Sequence, residues 1–453
     1  MIVMKFGGSS VATGERVQKV IEIVRANLVK KPALVLSAMG DTTDYLLEAA
    51  EKALVAGPVT VEKSLEKITA VHLDAFRALD LGKNFDDELG GLLADLGALL
   101  AGISLIKELS PRSKDFLVSF GERLSVRITA AAFNKAGIPA CFLDAWDAGI
   151  VSSSNANAAE ILDESAVLTA ERVLPLVKKG IIPIITGFIA KDTGGIITTL
   201  GRGGSDLSAT FIAAACGADE VQVWKDVDGL LSADPRLVPA ARLVPEVSYE
   251  EAAELAYFGA QVLHPRAMQP CIKNKIPVLV KNSYNPAAEG TRIIAKTARR
   301  HLPVCSITAR KNITLVDIVS SRMLGQSGFL AELFAVFAKY GISVDMLATS
   351  EVSVSLTLDS SFHLENAKKE IERIADIVVK TEKAIVTVIC DITKSSSILE
   401  KAAGVCAKNN IDIQMVSQGA SKVNISFVVN NSEADSVIQN LHNEFFSGVF
   451  PLP

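Results

Sequence analysis

The sequence predicts an α/β protein: a parallel-rich open sheet covered by helices on both faces, followed by two α+β units of the ferredoxin-like kind. Three observations carry this. Through residues 1–295, short apolar runs alternate with longer helical runs. One of these runs, Ile181–Phe188, is apolar on both faces, as a buried parallel strand is. Beyond a basic, polar linker at Ala295–His301 the chain repeats itself. Phe337–Leu347 matches Cys406–Val416 and Val352–Leu356 matches Ser421–Ile425, both at an offset of 69 residues (406 − 337 and 421 − 352).

The elements follow in order. Ile2-Val3-Met4 reads as a strand, followed by Lys5-Phe6-Gly7-Gly8-Ser9-Ser10 and a helix-like run from Gly14 to Leu28. A strand that ends in a Lys and two glycines and then opens a helix suits a polyphosphate. The glycines allow close backbone approach, and the helix N-terminus adds partial positive charge. The Lys precedes the glycines, so the spacing is not that of a Walker A loop. Ala33–Ala38 is the next strand. Leu89–Ile106 is apolar, but Asp95, Ser104 and four glycines interrupt it, which predicts a buried helix and no membrane span. Val221–Trp224 and Ile276–Val280 continue the strands, with helices at Asp206–Cys216 and Tyr249–Phe258. Lys5, Ser37, Gly187 and Lys225 all fall at strand carboxyl ends, where such sheets hold ligands, so one common cleft is expected. Each C-terminal copy reads strand, helix, strand, strand, helix, closing strand. The expected boundaries are 1–295, 303–380 and 381–453, with interleaving of the last two left open.

Composition narrows the function. The chain is 49% hydrophobic and 21% charged, an ordinary globular balance. A net charge of -5 without a basic tract argues against nucleic acid as the main partner. The six cysteines are scattered without a CxxC, which suits buried thiols in a reducing compartment. The five histidines are dispersed, so no zinc site is expected, and no side chain is assigned to a metal. The chain starts directly in a strand. A cytoplasmic location is therefore expected, or a plastid if a transit peptide preceded this numbering.

The densest polar segment is Thr198-Thr199-Leu200-Gly201-Arg202-Gly203-Gly204-Ser205-Asp206, read as opening a helix at Leu207. Arg202 offers a planar fork of donors suited to a carboxylate or phosphate. Ser205 and Asp206 stand where an N-cap belongs, and a plain capped helix is the alternative reading.

At this point the chain resembles the aspartate kinases of the amino acid kinase superfamily. The resemblance rests on Lys5–Ser10, Val118-Ser119-Phe120-Gly121-Glu122, Thr198–Asp206, Trp224–Gly229, Asp234-Pro235-Arg236 and Phe258–Pro265, and runs in order over essentially the whole length. The paired C-terminal units resemble ACT domains. The resemblance implies phosphorylation of the β-carboxylate of L-aspartate by ATP with Mg2+, the first step of lysine, threonine and methionine biosynthesis. Lys5 and Asp206 would be catalytic, Lys5 on the β- and γ-phosphates and Asp206 holding it. Arg202 would grip the α-carboxylate of aspartate and Glu122 its ammonium, with Ser37, Thr43 and Ser205 completing the pocket. Glu122 is read at a helix start, where a solvated carboxylate is the alternative. Gly7, Gly8 and Ser9 would offer N–H groups to the nucleotide, flanked by Lys225, Asp226, Leu231, Arg236 and Gln261, with Lys281-Asn282-Ser283 near the base. Many members carry Lys where this chain has Gln261 and Thr where it has Lys225. The combination is similar to plant-type members, and Lys225 is expected to supply the displaced charge.

The resemblance also implies feedback inhibition by a distal amino acid, lysine first, with threonine left open. Met323, Gln326, Gly328, Phe329, Leu330, Val344, Asp345, Thr349, Ser350 and Glu351 would form the effector site, Asp345 pairing with an amino group. Position 414, aligned with Asp345, is Gln, so the two repeats should differ in ligand binding. Small units with exposed sheet edges point to a homodimer or a dimer of dimers. Another amino-acid kinase of the superfamily, or a sensor that kept the fold without turnover, stays open.

Overall fold

The first strand sets the frame: in Ile2–Phe6 every residue is buried, and parallel neighbours pair on both sides. The computed structural model describes the chain except 56–57, 86, 260–262, 298–302, 325–326, 360–361, 419–422 and 448–453, with backbone only at 58–59. Its contacts divide into two units. The first is Met1–Leu230, Pro245–Tyr249 and Val262–Lys296; the second is Leu231–Val244, Glu250–Gln261 and Thr297–Pro453. The division is therefore not a single cut at 295, because two short segments before it pack with the C-terminal unit. Most of the expected linker, 298–301, lies outside the described residues.

The strands of the first unit are β1 (Ile2–Phe6), β2 (Pro32–Leu36), β3 (Ala140–Leu143), β4 (Val151–Ser152), β5 (Ile182–Thr186), β6 (Ile189–Asp192), β7 (Ile197–Thr199), β8 (Glu220–Lys225), β9 (Glu246–Ser248), β10 (Val278–Asn282) and β11 (Thr291–Ile294). The helices up to residue 274 are α1 (Gly14–Arg25), α2 (Thr42–Val55), α3 (Pro58–Ala78), α4 (Asp87–Ile106), α5 (Pro111–Lys135), α6 (Ser165–Lys178), α7 (Gly204–Cys216), α8 (Tyr249–Phe258) and α9 (Pro265–Asn274). Eight strands form one sheet in the order β3-β5-β2-β1-β8-β10-β11-β9. The first six run parallel, and β11 turns back antiparallel to β10. Alternation sorts the faces. Ile2, Met4 and Phe6 join a core built with α1–α5, while α7 packs across β1, β2 and β8.

Several boundaries moved for identifiable reasons. α1 is capped by the Thr13 side chain and ends at Arg25, and Leu28–Lys30 is a separate 3-10 turn. α5 is capped by Ser110 with Pro111 in its first turn, so Gly121 and Glu122 lie in mid-helix and not at a helix start. Gly121 is there for closeness: a Cβ would stand 2.7 Å from the Ala38 Cβ. α4 buries only a stripe (Leu89, Leu92, Leu93, Leu96, Leu100 and Ile103) and exposes Gly90, Gly91, Ala94 and Ala98. Among the described residues it is the helix long and apolar enough to cross a bilayer by length and composition, and 33% of its most apolar window is buried.

The second unit adds β12 (Val304–Val319), β13 (Leu347–Thr349), β14 (Ser353–Leu358), β15 (Asp376–Cys390), β16 (Met415–Gln418) and β17 (Asn424–Asn430). Its further helices are α10 (Phe329–Lys339), α11 (Leu364–Ile371), α12 (Ser395–Lys408) and α13 (Ala434–Phe446). The strands form an antiparallel sheet ordered β13-β14-β12-β15-β17-β16. Thr314–Val319 of β12 pairs with β14 and with the first half of β15. Val304–Arg310 pairs with the second half of β15, which lies beside β17. The strand that closes the second copy therefore precedes the first copy in the chain. The offset of 69 could not reveal this, because it compares segments and not partners.

At the β10–β11 connection Gly290 has φ +83°, and a Cβ there would stand 2.2 Å from the Val280 carbonyl oxygen. Gly290→Ala should lower stability by about 2 kcal/mol or more through combined strain and clash. The unfolding temperature should fall by several degrees, and an unshifted denaturation curve refutes this.

Candidate active site

The site begins where adjacent parallel strands end. Lys5 near the end of β1 and Lys225 at the end of β8 project toward the first turn of α7. Asp206 lies between them, with Lys5 Nζ 2.8 Å from Oδ1 and Lys225 Nζ 3.6 Å from Oδ2. The Lys5 and Asp206 side chains are each 8% exposed. Burial alone would raise the Asp206 carboxyl, but the two ammonium groups outweigh it and hold it below the usual carboxylate range. Burial lowers Lys225, with Asp206 opposing and Lys5 adding to the shift. Asp206 is no helix cap: α7 starts at Gly204 behind Gly203 at φ +74°, with no side-chain cap bond.

A cleft of about 520 Å³ opens over this cluster, lined in part by Lys5, Gly8, Ser37, Thr43, Glu122, Arg202, Ser205 and Asp206. Eight sequence-predicted residues thus share one wall system. Ser37 Oγ donates to Ser205 Oγ at 3.1 Å, joining the end of β2 to α7. Gly187 permits that approach, since its Cβ would lie 2.7 Å from the Ser205 Cβ. Glu122 is 3% exposed; its Oε1 accepts the Ala38 N–H at 3.2 Å, and Oε2 is buried without a hydrogen-bond partner among the described residues. Burial pushes its carboxyl up to about 8, against the Ala38 N–H and the Lys5 charge. The solvated-carboxylate alternative is thereby excluded. Arg202 lies on the cleft wall between Gly201 and Gly203, both at φ +74°.

Other assignments fare differently. The Gly7 N–H donates to the Trp224 carbonyl at 3.3 Å, so it is committed to the protein and not offered to a phosphate. Gly8 and Ser9 begin the 3-10 turn that follows. Asp226 is exposed after β8. Leu231 and Arg236 belong to the second unit, where the Arg236 guanidinium is held by Asp234 at 2.6 Å. Gln261 and Gln326 lie outside the described residues. Asn282 donates to Asp228, and Ser283 joins Ser10 and Arg16. The sequence reading missed Lys114, Asp115, Asn157 and Phe188 on the cleft wall. Asp115 could have been found, since it sits seven positions before Glu122 on one helix (122 − 115), once α5 is extended back to Ser110.

In the second unit the predicted effector residues divide. Phe329 is 7% exposed and packs in the core of the second unit. Gly328, at φ +97°, precedes α10. Val344 packs partly against the same core, whereas Leu330, Thr349, Ser350 and Glu351 are exposed, and Met323 ends a 3-10 turn. The Asp345 side chain is 1% exposed, accepts a hydrogen bond from the Tyr257 hydroxyl and stands 3.8 Å from Arg310. Burial raises its carboxyl to about 6. Both contacts are made by Oδ1, and Oδ2 is buried without a hydrogen-bond partner among the described residues. Gln414, its counterpart, donates to Asn430, which also accepts from Lys383.

The family model for the amino acid kinase family matches residues 1–282, and an ACT domain model matches 316–373 and 387–445. Aspartokinase 1, chloroplastic, of Arabidopsis thaliana is 46% identical over 98% of this chain and 80% of its own length. Lysine-sensitive aspartokinase 3 of Escherichia coli is 34% identical over 98% of this chain and 99% of its own. The crystal structure of E. coli aspartokinase III in complex with aspartate and ADP, in its R-state, covers 99% of this chain and 100% of that one, at 33% identity and a TM-score of 0.83. The T-state complex of that enzyme with lysine and aspartate gives 0.81 with the same coverage and identity. A fold shared end to end with such relatives, and 46% of residues shared with one of them, places the chain in the amino acid kinase family, among the aspartokinases that carry C-terminal ACT domains.

Proposed function

We propose that the protein transfers the terminal phosphoryl of ATP to the side-chain carboxylate of L-aspartate, giving 4-phospho-L-aspartate, and that lysine inhibits it through the ACT region. The observation that carries the catalytic reading is the single cleft joining Lys5, Glu122 and Arg202. Two cations stand at adjacent strand ends, and a buried carboxylate and a guanidinium line the same cleft. The acceptor is ionised at neutral pH, with an ordinary value of about 3.9, so no protein base is needed. The work left is alignment of two anions and neutralisation of charge on the transferring group.

Lys5, oriented by Asp206, would meet the phosphates. Lys225 shares that carboxylate and supports the reading that it brings the charge other members carry at position 261. Glu122 would receive the substrate ammonium at its unpartnered Oε2, and Arg202 the α-carboxylate. Among the described residues no three or more His, Cys, Asp or Glu gather into a metal site. Magnesium would enter with the nucleotide, its oxygen ligands supplied mainly by phosphate and water, and would add charge neutralisation.

Asp345 is proposed to meet the amino group of lysine in the first ACT repeat only. In the second, the Gln414–Asn430–Lys383 set supports a position without a ligand. The edge strands β13 and β16 leave unpaired backbone that favours a homodimer or a dimer of dimers. The six cysteines are all free, which suits the cytoplasm or, as for the chloroplastic relatives, a plastid.

Hydroxamate formation should proceed with ATP and aspartate and not with glutamate; the reverse preference overturns the substrate. Lys5→Ala should cost on the order of a hundredfold or more in kcat. Lys225→Ala should raise the KM for ATP far more than that for aspartate, and an unchanged ATP profile rejects the charge swap. A pH effect follows from Glu122, whose folded value of about 8 exceeds the unfolded one of about 4.3. Its contribution to stability is full below the unfolded value and is lost as pH rises through about 8. Binding of an ammonium favours the ionised form. The KM for aspartate should therefore fall as pH rises from about 6 to about 8.5, and Glu122→Gln should flatten that dependence. Asp345→Asn should raise the lysine concentration for half-inhibition about tenfold or more, as loss of a charged partner does; undiminished lysine sensitivity counts against the effector site.

A further inference from the structure

Asp115 lies on the wall of the cleft that Glu122 and Arg202 also line. Its side chain is among the most buried carboxylates of the first unit, with the residue 1% exposed. It takes three hydrogen bonds. Oδ2 accepts from the Asn157 N–H at 2.9 Å and the Thr199 N–H at 3.0 Å, and Oδ1 accepts from the Thr199 hydroxyl at 2.8 Å. Thr199 ends β7 just before the Arg202 loop, and Asn157 lies in a turn beside that loop. Thr199 is three positions before Arg202, and Gly201 packs so closely on the Asn157 carbonyl that a Cβ would stand 3.0 Å away. The Ala159 N–H closes the pair by donating to the Thr199 carbonyl at 2.9 Å. Arg202 itself has no hydrogen bond or ion pair among the described residues, and glycines at φ +74° flank it. Nothing local fixes its position except the anchored base of its loop.

Asp115 and Glu122 sit on one helix and line one cleft. Seven residues at 1.5 Å each put them about 10 Å apart along the axis. We infer that Asp115 is a positioning residue. It ties the Arg202 loop to the same rigid helix that carries Glu122, and so sets the distance between the groups that receive the carboxylate and the ammonium of the acceptor amino acid. This rests on the proposed assignment of those two ends. A charge suits this place, since a carboxylate accepts several N–H bonds at once and holds two segments with one side chain.

The test is steady-state kinetics of Asp115→Ala, Asp115→Asn and Thr199→Val beside the wild type. Asp115→Ala should raise the KM for aspartate about tenfold or more while the KM for ATP stays within about twofold. Asp115→Asn should recover most of the loss, because the amide oxygen still accepts both N–H groups while the Thr199 hydroxyl turns to accept. Thr199→Val removes only the hydroxyl bond and should raise the aspartate KM about threefold, again without moving that for ATP. This variant decides the matter if Asp115→Ala does not fold. Constants for the two substrates that rise together, or an aspartate KM that does not move, overturn the role and leave Asp115 a fold-stabilising group. A wild type that forms no product from aspartate overturns the substrate itself, and this role with it.

Discussion

A buried carboxylate between two ammonium groups organises the first unit. Burial works against the Asp206 charge, and the ammonium groups of Lys5 and Lys225 on either side of it outweigh that cost. The arrangement requires three elements to end together. β1 and β8 are parallel neighbours in register, with Phe6 opposite Trp224, and α7 starts over their carboxyl ends. The rest of the cleft is built outward from that constraint. Ser37 joins from the next strand, and glycines at 187 and 203 stand where any side chain would hold the walls apart.

Chemistry that begins with an ionised nucleophile asks little of a protein in proton transfer and much in placement. The first unit has that character. Lys5, Lys225, Asp206 and Glu122 are held on helices and strand ends, and Glu122, whose carboxyl burial raises, is left with an oxygen unpartnered among the described residues. Burying a carboxyl oxygen without a partner costs free energy that a cationic partner there would offset.

The second unit is built differently. The two repeats share the long strands β12 and β15 within one six-stranded sheet, the first repeat pairing along Thr314–Val319 and the second along Val304–Arg310.

The sequence by itself determined the alternation of strands and helices, the paired C-terminal repeats and the family to which the chain belongs. Strand burial, turn glycines and charged motifs are local properties, and they are legible in single stretches such as Lys5–Ser10 and Thr198–Asp206. Tertiary structure alone decided which local groups find partners. Gly7 looked like a phosphate donor until Trp224 took its N–H, and the solvated alternative for Glu122 stayed open until α5 proved to begin at Pro111 and bury it. Asp345 met Tyr257, a residue 88 positions away. The closing strand of the second repeat came from upstream of the first. These are matters of long-range pairing, fixed only when distant segments pack together, and no periodicity within one segment encodes them.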